Sequence, residues 1–160
     1  MAVHLRDLTE LDASAVLALN EEAVEVLAPM DHHEYRWFLD EATAWAADVD
    51  GEFAGFVLLL EPGIGYASRN YAWLSERFED FLYLDRIAIA AGHRRQGVGS
   101  AIYDAVEALA ASHQRPVVLE VNVNPPNTAS LAFHLSRGYE PIGDLEHPGG
   151  KVVRFFLRRP

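Results

Sequence analysis

The feature that most constrains this chain is a basic glycine loop, residues 90–97, between an apolar run at 84–89 and a helical pattern that begins near Val98. Gly97 and Gly99 allow the main chain to turn tightly and to approach a ligand without a Cβ atom in the way. The amides that follow belong to a helix N-terminus, where unpaired donors form an anion site. This order of segments predicts a strand, a loop that holds a pyrophosphate, and a helix.

Two arginines beside the glycines support the same interpretation. Arg94 and Arg95 carry guanidinium groups, which match phosphate oxygens in pairs. The chain has 24 acidic and 13 basic residues, so two adjacent basic residues are unusual in a chain with this acidic composition. A P-loop is excluded because no Gly-Lys-Ser/Thr follows, and a dinucleotide fingerprint would need a third glycine where Ile102 stands.

Length and charge restrict the class of protein. A chain of 160 residues favours a single domain over 1–160. The formal net charge of −11 argues against nucleic acid and against an anionic membrane surface, because both need a basic face. Apolar runs fall short of the roughly 18–20 residues of a membrane span, and the N-terminus lacks the apolar core of a signal peptide. We expect neither a nucleic-acid nor a membrane partner.

The chain contains no cysteine. This excludes disulfides, thiolate zinc sites and a cysteine nucleophile, and it fits a reducing compartment. A cytoplasmic location is therefore expected. No His-Glu-x-x-His or comparable cluster occurs in the sequence, so no metal site is expected.

Apolar periodicity and turn residues predict strands and helices along the whole chain. Strands are expected at 2–6, 45–49, 52–60, 81–89, 117–123, 139–143 and 152–157. Helices are expected at 12–27, from Asp31 to about 42, at 98–111 and at 127–135, the last capped by Asn127 or Thr128 and stopped by Gly138. Residues 61–78 predict an irregular, aromatic-rich connection. This order predicts an α/β or α+β sheet with helices on both faces.

Two motifs resemble the signatures of the GNAT superfamily of N-acetyltransferases. The first is Arg94-x-x-Gly97-x-Gly99, after a strand that ends in Ile87-Ala88-Ile89. The second is similar to the family's strand, Asn-x-x-Ala/Ser and short helix ending in Gly-Phe or Gly-Tyr. Here it comprises Leu119-Glu120-Val121, Asn127, Ser130, Phe133, Gly138 and Tyr139. Both occur in the family's order over residues 81–143, and the chain resembles a subgroup of predicted acetyltransferases.

The resemblance implies a central, mixed, mostly antiparallel sheet of about seven strands, with about four helices on its two faces. The sheet would splay open beside the strand that ends at Ile89, and the pantetheine arm of acetyl-CoA would lie in that splay. Acetyl-CoA is the implied cosubstrate. The implied contacts are Ile87, Ala88 and Ile89 along the arm, Arg94, Arg95, Gln96, Gly97, Val98, Gly99 and Ser100 at the pyrophosphate, and Asn127 on the other side.

The family's chemistry is direct attack of an amine on the thioester. The ammonium must lose a proton to a base, and the departing thiolate profits from an acid. Glu120 matches the position where some members keep a general-base glutamate. Seven residues after Asn127 most members have tyrosine, and this chain has His134. An imidazole, with a free pKa near ~6.5, titrates closer to neutrality than a phenol near ~10. The resemblance thus implies Glu120 as base and His134 as acid.

Structural interpretations of the same residues stay open at this point. Glu120 alternates with apolar neighbours, so it also fits a solvent-facing strand carboxylate. His134 also fits a helix residue that packs on the sheet. Asp85 fits either a rival general base or an ion-pair partner of Arg86.

The acceptor site is expected at Tyr66, Asn70, Tyr71, Trp73 and Asp85, although an ordinary packed loop also explains the first four. The function implied is transfer of an acetyl group to a primary amine of a small molecule or peptide, in a ternary complex. Without cysteine, the most obvious nucleophile for a covalent route is missing. The alternative is a catalytically silent CoA-binding sensor or interaction module. The family also favours a homodimer.

Overall fold

The computed structural model describes residues 2–160, and the chain divides into two compact units. The first comprises Met1–Leu60 and Leu84–Ala108, and the second Glu61–Tyr83 and Leu109–Pro160. Over the described residues there are seven strands and five α-helices. The strand order in the sheet is β1-β2-β3-β4-β5-β7-β6. This confirms the mixed, seven-stranded α/β sheet, while the single domain over 1–160 stays a prediction.

The first unit is built on an N-terminal meander. Its elements are β1 (Val3–Asp7), a 3-10 turn (Glu10–Asp12), α1 (Ala13–Glu22), α2 (His32–Glu41), β2 (Thr43–Val49) and β3 (Glu52–Leu60). β1 and β2 pair antiparallel, as do β2 and β3. Asp50 and Gly51 join β2 to β3 with φ of 50° and 84°, as a tight type I′ hairpin requires. The predicted hairpin is confirmed.

Helix α1 is shorter than predicted. It ends at Glu22, whereas the apolar spacing predicts a helix to 27. Asn20 is buried, and its Nδ2 donates to the carbonyl of Ala28 at 3.0 Å. The chain after Glu22 turns back so that Asn20 reaches Ala28, eight residues further on, and Val26 is 46% exposed.

The central strand β4 (Leu82–Ile89) leads through the glycine loop into α4 (Val98–Ser112), as predicted. β4 runs parallel to β5 (Val117–Asn124), and the ladder between them pairs Leu82 with Val117 and Tyr83 with Val118. Both pairs lie at the start of the strands. This short parallel ladder is the one expected of a sheet that splays.

The second unit contains the C-terminal strands and two helices. After β5 come α5 (Thr128–Ser136), β6 (Glu140–Glu146) and β7 (Val152–Arg158). β7 lies between β5 and β6 and pairs antiparallel with both. Asn127 caps α5, and its Oδ1 accepts from the Ser130 amide at 3.3 Å, as the sequence predicts.

The prediction of an irregular connection over 61–78 is wrong in its second half. Arg69–Arg77 form a further helix, α3. Ser68 caps it, because its Oγ accepts from the Tyr71 amide at 3.2 Å. Among its nine residues Tyr71 and Leu74 are buried. The helix is short and mostly polar, so it offers few apolar residues from which it could be recognised in the sequence.

Within residues 2–160, the structure contains no helix with the length and apolar character needed to cross a membrane.

Candidate active site

The glycine loop has an alternating backbone. Arg94 has φ of −68°, whereas Arg95 and Gly97 have φ of 64° and 78°. Successive main-chain amides in a turn form a concavity that binds anions. A left-handed arginine is uncommon and costs free energy, and such residues concentrate at ligand sites.

The N-terminus of α4 adds further donors to this loop. The Ala101 amide donates to the Gly97 carbonyl at 3.0 Å, so the amides of Val98, Gly99 and Ser100 precede the helical ladder. The side chains of Arg94 and Arg95 are exposed. A row of amides beside two guanidinium groups fits a pyrophosphate, which is one of the anionic groups of CoA.

His93 lies in the first turn of the glycine loop and contacts two other side chains. Its Nδ1 lies 3.0 Å from Gln96 Oε1, and its Nε2 lies 3.6 Å from Glu52 Oε2. Because the Gln96 side chain is turned to His93, Gln96 would serve a ligand through its main chain.

The end of β4 is held closely by β3. A Cβ placed on Gly55 would lie 2.5 Å from the carbonyl oxygen of Ala88 and 3.1 Å from Cδ1 of Ile89. The amide of Ala90 donates to the carbonyl of Ala54 at 2.8 Å. Glycine at position 55 therefore permits the close approach that fixes the main chain of Ala88 and Ile89. Ile87 and Ile89 are half-buried.

Asp85 and Arg86 form a buried ion pair on β4. Arg86 Nε lies 3.1 Å from Asp85 Oδ2, and the two side chains are 5% and 7% exposed, respectively. This geometry agrees with the ion-pair interpretation of Asp85 and gives its carboxylate a partner within its own strand.

Glu120 is fixed by a tyrosine of the neighbouring strand. The hydroxyl of Tyr83 donates to Glu120 Oε1, and Tyr83 is buried whereas Glu120 is half-buried. In the parallel ladder Tyr83 stands opposite Val118, so Tyr83 and Glu120 share one face of the sheet. The carboxylate is thus an anchored group.

The same face carries an aromatic stack. Glu120 stands opposite Phe155 on β7, and the Trp73 ring lies parallel to that of Phe155 with centroids 4.0 Å apart. Gly143, also opposite Phe155, makes room for Trp73, since a Cβ there would lie 2.7 Å from the indole. Helix α3 therefore covers the face on which Glu120 lies.

His134 lies on the other face of these strands. It is buried, and its ring stacks at 6.2 Å on Phe156, which stands opposite Leu119. Its Nδ1 donates to the Ser130 carbonyl at 2.7 Å. Because a carbonyl only accepts, Nδ1 carries the hydrogen, and Nε2 is the nitrogen that gains or loses a proton.

The expected acceptor residues fall into separate environments. Tyr71 is buried, and its hydroxyl donates to the Glu61 carbonyl at 2.5 Å and accepts from the Ile64 amide at 3.1 Å. Tyr66 is half-buried and packs edge-on against Tyr71 at 5.7 Å. The Tyr66 and Tyr71 rings thus stabilise the turn before α3. On α3 itself, Trp73 is half-buried, with the guanidinium of Arg77 3.8 Å from its ring centroid.

Asn70 joins α3 to the loop between β6 and β7. Its Oδ1 accepts from His147 Nε2 at 2.8 Å. Burial first, and then the charges of Arg69 and Lys151, hold the pKa of His147 below its usual value. A neutral imidazole therefore holds this loop to α3 at neutral pH.

Over residues 2–160, no group of three or more His, Asp and Glu side chains is arranged to hold a metal ion.

Two side chains of this site were not singled out from the sequence. Tyr83 could have been recognised because it stands two residues before Asp85 and so lies on the same strand face. From the sequence, Arg86 was expected only as a partner for Asp85, although in the structure it contacts three other groups. The signal for those contacts is absent from the sequence, because they come from residues 20–38.

Comparison with known proteins extends these observations. Residues 8–139 match the model of a protein family that is described as "Acetyltransferase (GNAT) family". Among curated proteins, no match is found. Many solved structures share the fold. Ard1 from Thermoplasma volcanium has a TM-score of 0.79 at 19% identity, covering 99% of this chain and 98% of that one.

Two further solved structures share this fold. Arabidopsis thaliana NAA60 in complex with acetyl-CoA has a TM-score of 0.76 at 15% identity, covering 99% of this chain and 98% of that one. The Escherichia coli ribosomal-protein-S18-alanine N-acetyltransferase has a TM-score of 0.74 at 15% identity, covering 99% and 94%. At these identities the likeness shows the fold. With the family match over most of its length, this chain belongs to the GNAT family of acetyltransferases, which use acetyl-CoA.

Proposed function

We propose that this protein transfers the acetyl group of acetyl-CoA to a primary amine by direct attack in a ternary complex. The observation that carries the proposal is the alternating backbone of Arg94–Gly97 at the start of α4. In a chain of this family such a loop supports binding of the CoA pyrophosphate. When bound, acetyl-CoA supplies an activated acetyl group and a thiolate leaving group.

Residues of the first unit would hold the cofactor. The main chain of Ile87, Ala88 and Ile89 would bond the pantetheine arm and the thioester carbonyl. The amides of 95–100 would hold the pyrophosphate, with Arg94 and Arg95 alongside. Asn127 of the second unit uses its Oδ1 to cap α5, so its amide nitrogen is the atom that would contact pantetheine.

Glu120 would accept a proton from the ammonium group of the acceptor, through water, which leaves the neutral amine to attack the thioester. A carboxylate is a competent acceptor only if it is held in reach of the substrate proton. The hydroxyl of Tyr83 supports this role, since it fixes Oε1 on one face of the sheet. Tyr83 acts here as a positioning residue.

His134 would donate a proton to the CoA thiolate. Because Nδ1 is committed to the Ser130 carbonyl, only Nε2 of the imidazolium form has a proton to give. Replacing His134 by Ala should lower turnover, and His134→Tyr should keep part of it. Unchanged turnover in the alanine variant would leave His134 with its packing role against Phe156 and Tyr139.

Tyr66, Asn70, Tyr71, Trp73 and Asp85 stay the proposed residues for binding the acceptor. One related fold, Arabidopsis thaliana Naa50, was solved with the bisubstrate analogue CoA-Ac-MVNAL. This supports a peptide N-terminus as one acceptor class beside small amines. The lack of cysteine supports a reducing compartment such as the cytoplasm.

The test is a thiol-release assay with acetyl-CoA and four acceptors: the peptide Met-Val-Asn-Ala-Leu, a peptide that begins with alanine, spermidine and free alanine. Each peptide has a matched control with a blocked N-terminus. We expect turnover with at least one free amine and none with its blocked counterpart. Binding of acetyl-CoA without turnover on any amine would instead favour the non-catalytic CoA-binding module.

A further inference from the structure

Asn122 is a buried polar residue on β5 whose side chain is unpaired. The residue is 8% exposed, and its side-chain amide forms no hydrogen bond with any of residues 2–160. Its main chain is fixed, because it stands opposite Val153 of β7 and its carbonyl accepts from the Asn127 amide at 3.0 Å. Nearly all buried polar groups in proteins have a partner, so an unpaired amide on a rigid strand is a candidate for binding a ligand.

The side chain of Asn122 lies on the same sheet face as that of Glu120. In the ladder with β7, Glu120 stands opposite Phe155. Asn122 stands opposite Val153, and the irregularity in this ladder begins only after Asn122. Side chains two residues apart on a regular strand point the same way, about 6–7 Å from each other. An amine that gives its proton to Glu120 through one water therefore lies within reach of Asn122.

An aromatic residue proposed to bind the acceptor lies on this face as well. The Trp73 ring stacks on that of Phe155 with centroids 4.0 Å apart, and Phe155 is the β7 neighbour of Glu120. The proposed base, the indole and the unpaired amide therefore share one face of the sheet within the second unit.

The chemistry of a carboxamide indicates what it would bind. Its oxygen accepts hydrogen bonds, and its nitrogen donates them. In an extended chain the nitrogen and the carbonyl oxygen of one residue point to the same side, as in the closely spaced pairs of an antiparallel sheet. One asparagine side chain can therefore accept from the amine of an α-aminoacyl group on Oδ1 and donate from Nδ2 to its carbonyl. A simple alkylamine offers only the first of these two bonds.

We propose that Asn122 binds the α-aminoacyl unit of the acceptor, and so makes the protein selective for peptide N-termini and amino-acid amides over amines without a neighbouring carbonyl. This inference rests on the proposed acetyl transfer and names the acceptor class of the same site. It gives Asn122 no part in binding acetyl-CoA.

Two variants of Asn122 test the inference. Asn122→Leu keeps the branched shape of the side chain and removes its polar atoms. Asn122→Asp keeps oxygen acceptors for the amine but removes the N–H donors for the carbonyl. The matched control is Val121→Ala, because Val121 is the preceding residue of β5, is also buried, and lies on the opposite face.

The acceptors are alaninamide and sec-butylamine, in which an ethyl group replaces the carboxamide. The readout is the ratio of kcat/KM for alaninamide to that for sec-butylamine. Each amine keeps its own pKa in every assay, so a change in this ratio reports on the protein. We expect the ratio to fall about tenfold in Asn122→Leu and in Asn122→Asp, chiefly through a higher KM for alaninamide, as lost ground-state hydrogen bonds require. In Val121→Ala it should stay within about twofold.

An unchanged ratio in Asn122→Leu or Asn122→Asp would overturn the inference, and so would an equal fall in Val121→Ala. A wild-type protein that acetylates sec-butylamine or spermidine but neither alaninamide nor the alanine peptide would overturn it as well. If Asn122→Leu does not fold, Asn122→Asp decides the matter by the same ratio. No turnover of any amine by the wild-type protein would overturn the proposed function together with this inference, whereas turnover with an unchanged ratio would overturn this inference alone.

Discussion

At the scale of single residues, the contact between Tyr83 and Glu120 is the most informative. Buried hydroxyl and carboxylate groups stabilise a structure only when they are paired, and this pair joins β4 to β5 where their ladder ends. The same contact that satisfies both groups also orients the carboxylate. One hydrogen bond would therefore serve both the fold and the proposed proton transfer.

Glu120→Gln should lower kcat by about 10²–10⁴-fold, the usual contribution of a general base. The variant keeps the shape of the side chain and an acceptor for Tyr83, so acetyl-CoA affinity should not change. Tyr83→Phe should lower kcat less, because the carboxylate remains but loses its anchor. Stopped thiol-release assays over pH 6–9 measure both, and a wild-type rate that is flat across this range would argue against Glu120 as the base.

Gly55→Ala should weaken acetyl-CoA binding. The new Cβ would lie 2.5 Å from the Ala88 carbonyl oxygen, so β4 must shift at the residues proposed to hold the thioester. Overpacking of this kind costs about 1–3 kcal/mol. Isothermal titration with acetyl-CoA gives the affinity.

The control for this substitution is Gly65→Ala, since a Cβ at Gly65 meets nothing within 4 Å. If both glycine variants bind acetyl-CoA as the wild type does, the close approach of β3 has no part in the cofactor site.

At the scale of elements, one charged side chain attaches the start of a helix to two strands. Arg6 on β1 bonds Asp12 at the start of α1 and Asp48 on β2. Hydrogen bonds from Arg6, and then the Thr9 amide, hold the pKa of Asp12 below its usual value, against the opposing effect of burial. The same two carboxylates raise the pKa of Arg6.

Asp12 should therefore make stability depend on pH. Its pKa is lower in the folded protein than the value near ~3.9 in the unfolded chain. The stabilisation is complete above about pH 5 and is lost as the pH falls through the folded pKa, because the unfolded chain then binds more protons. Asp12→Asn should cost about 2 kcal/mol at pH 7 and should flatten this acid limb, as urea denaturation between pH 3 and pH 7 would show.

Asp144→Asn is the matched control. Asp144 also has a lowered pKa, owing to its hydrogen bond with Arg154, but both side chains are more than two-fifths exposed. An exposed pair contributes little. An equal loss in both variants would contradict the role given to burial at Asp12.

At the scale of the whole molecule, ligand binding should appear as added stability. Acetyl-CoA at about 100 times its Kd should add roughly 2.7 kcal/mol to the free energy of unfolding, and a melting temperature higher by about 5–10 °C for a chain of this size. Differential scanning fluorimetry with acetyl-CoA, free CoA and ATP measures this. A rise with both CoA species and none with ATP is expected, and no rise at millimolar acetyl-CoA would contradict the pyrophosphate site.

Most of the fold could be predicted from local sequence patterns. The Asp50–Gly51 hairpin, the loop from Ile89 to Val98 and the Asn127 cap are all recognisable because each depends on residues that are neighbours in the chain. Helix α3 was not predicted, because it depends on residues that are distant along the chain. Its Tyr71 packs against Phe81 and Tyr83. The turn after α1 likewise involves a contact of Asn20 with Ala28, eight residues further on.

The same division holds for the candidate site. The sequence by itself determined the glycine loop, because turn chemistry, helix start and positive charge lie within a few consecutive residues. Only the tertiary structure decided that Tyr83 anchors Glu120, that His134 faces Phe156, and that Arg86 holds Ala28. Each of these is a contact between distant residues, and its energy comes from burying polar groups that must then find partners, which no local pattern encodes.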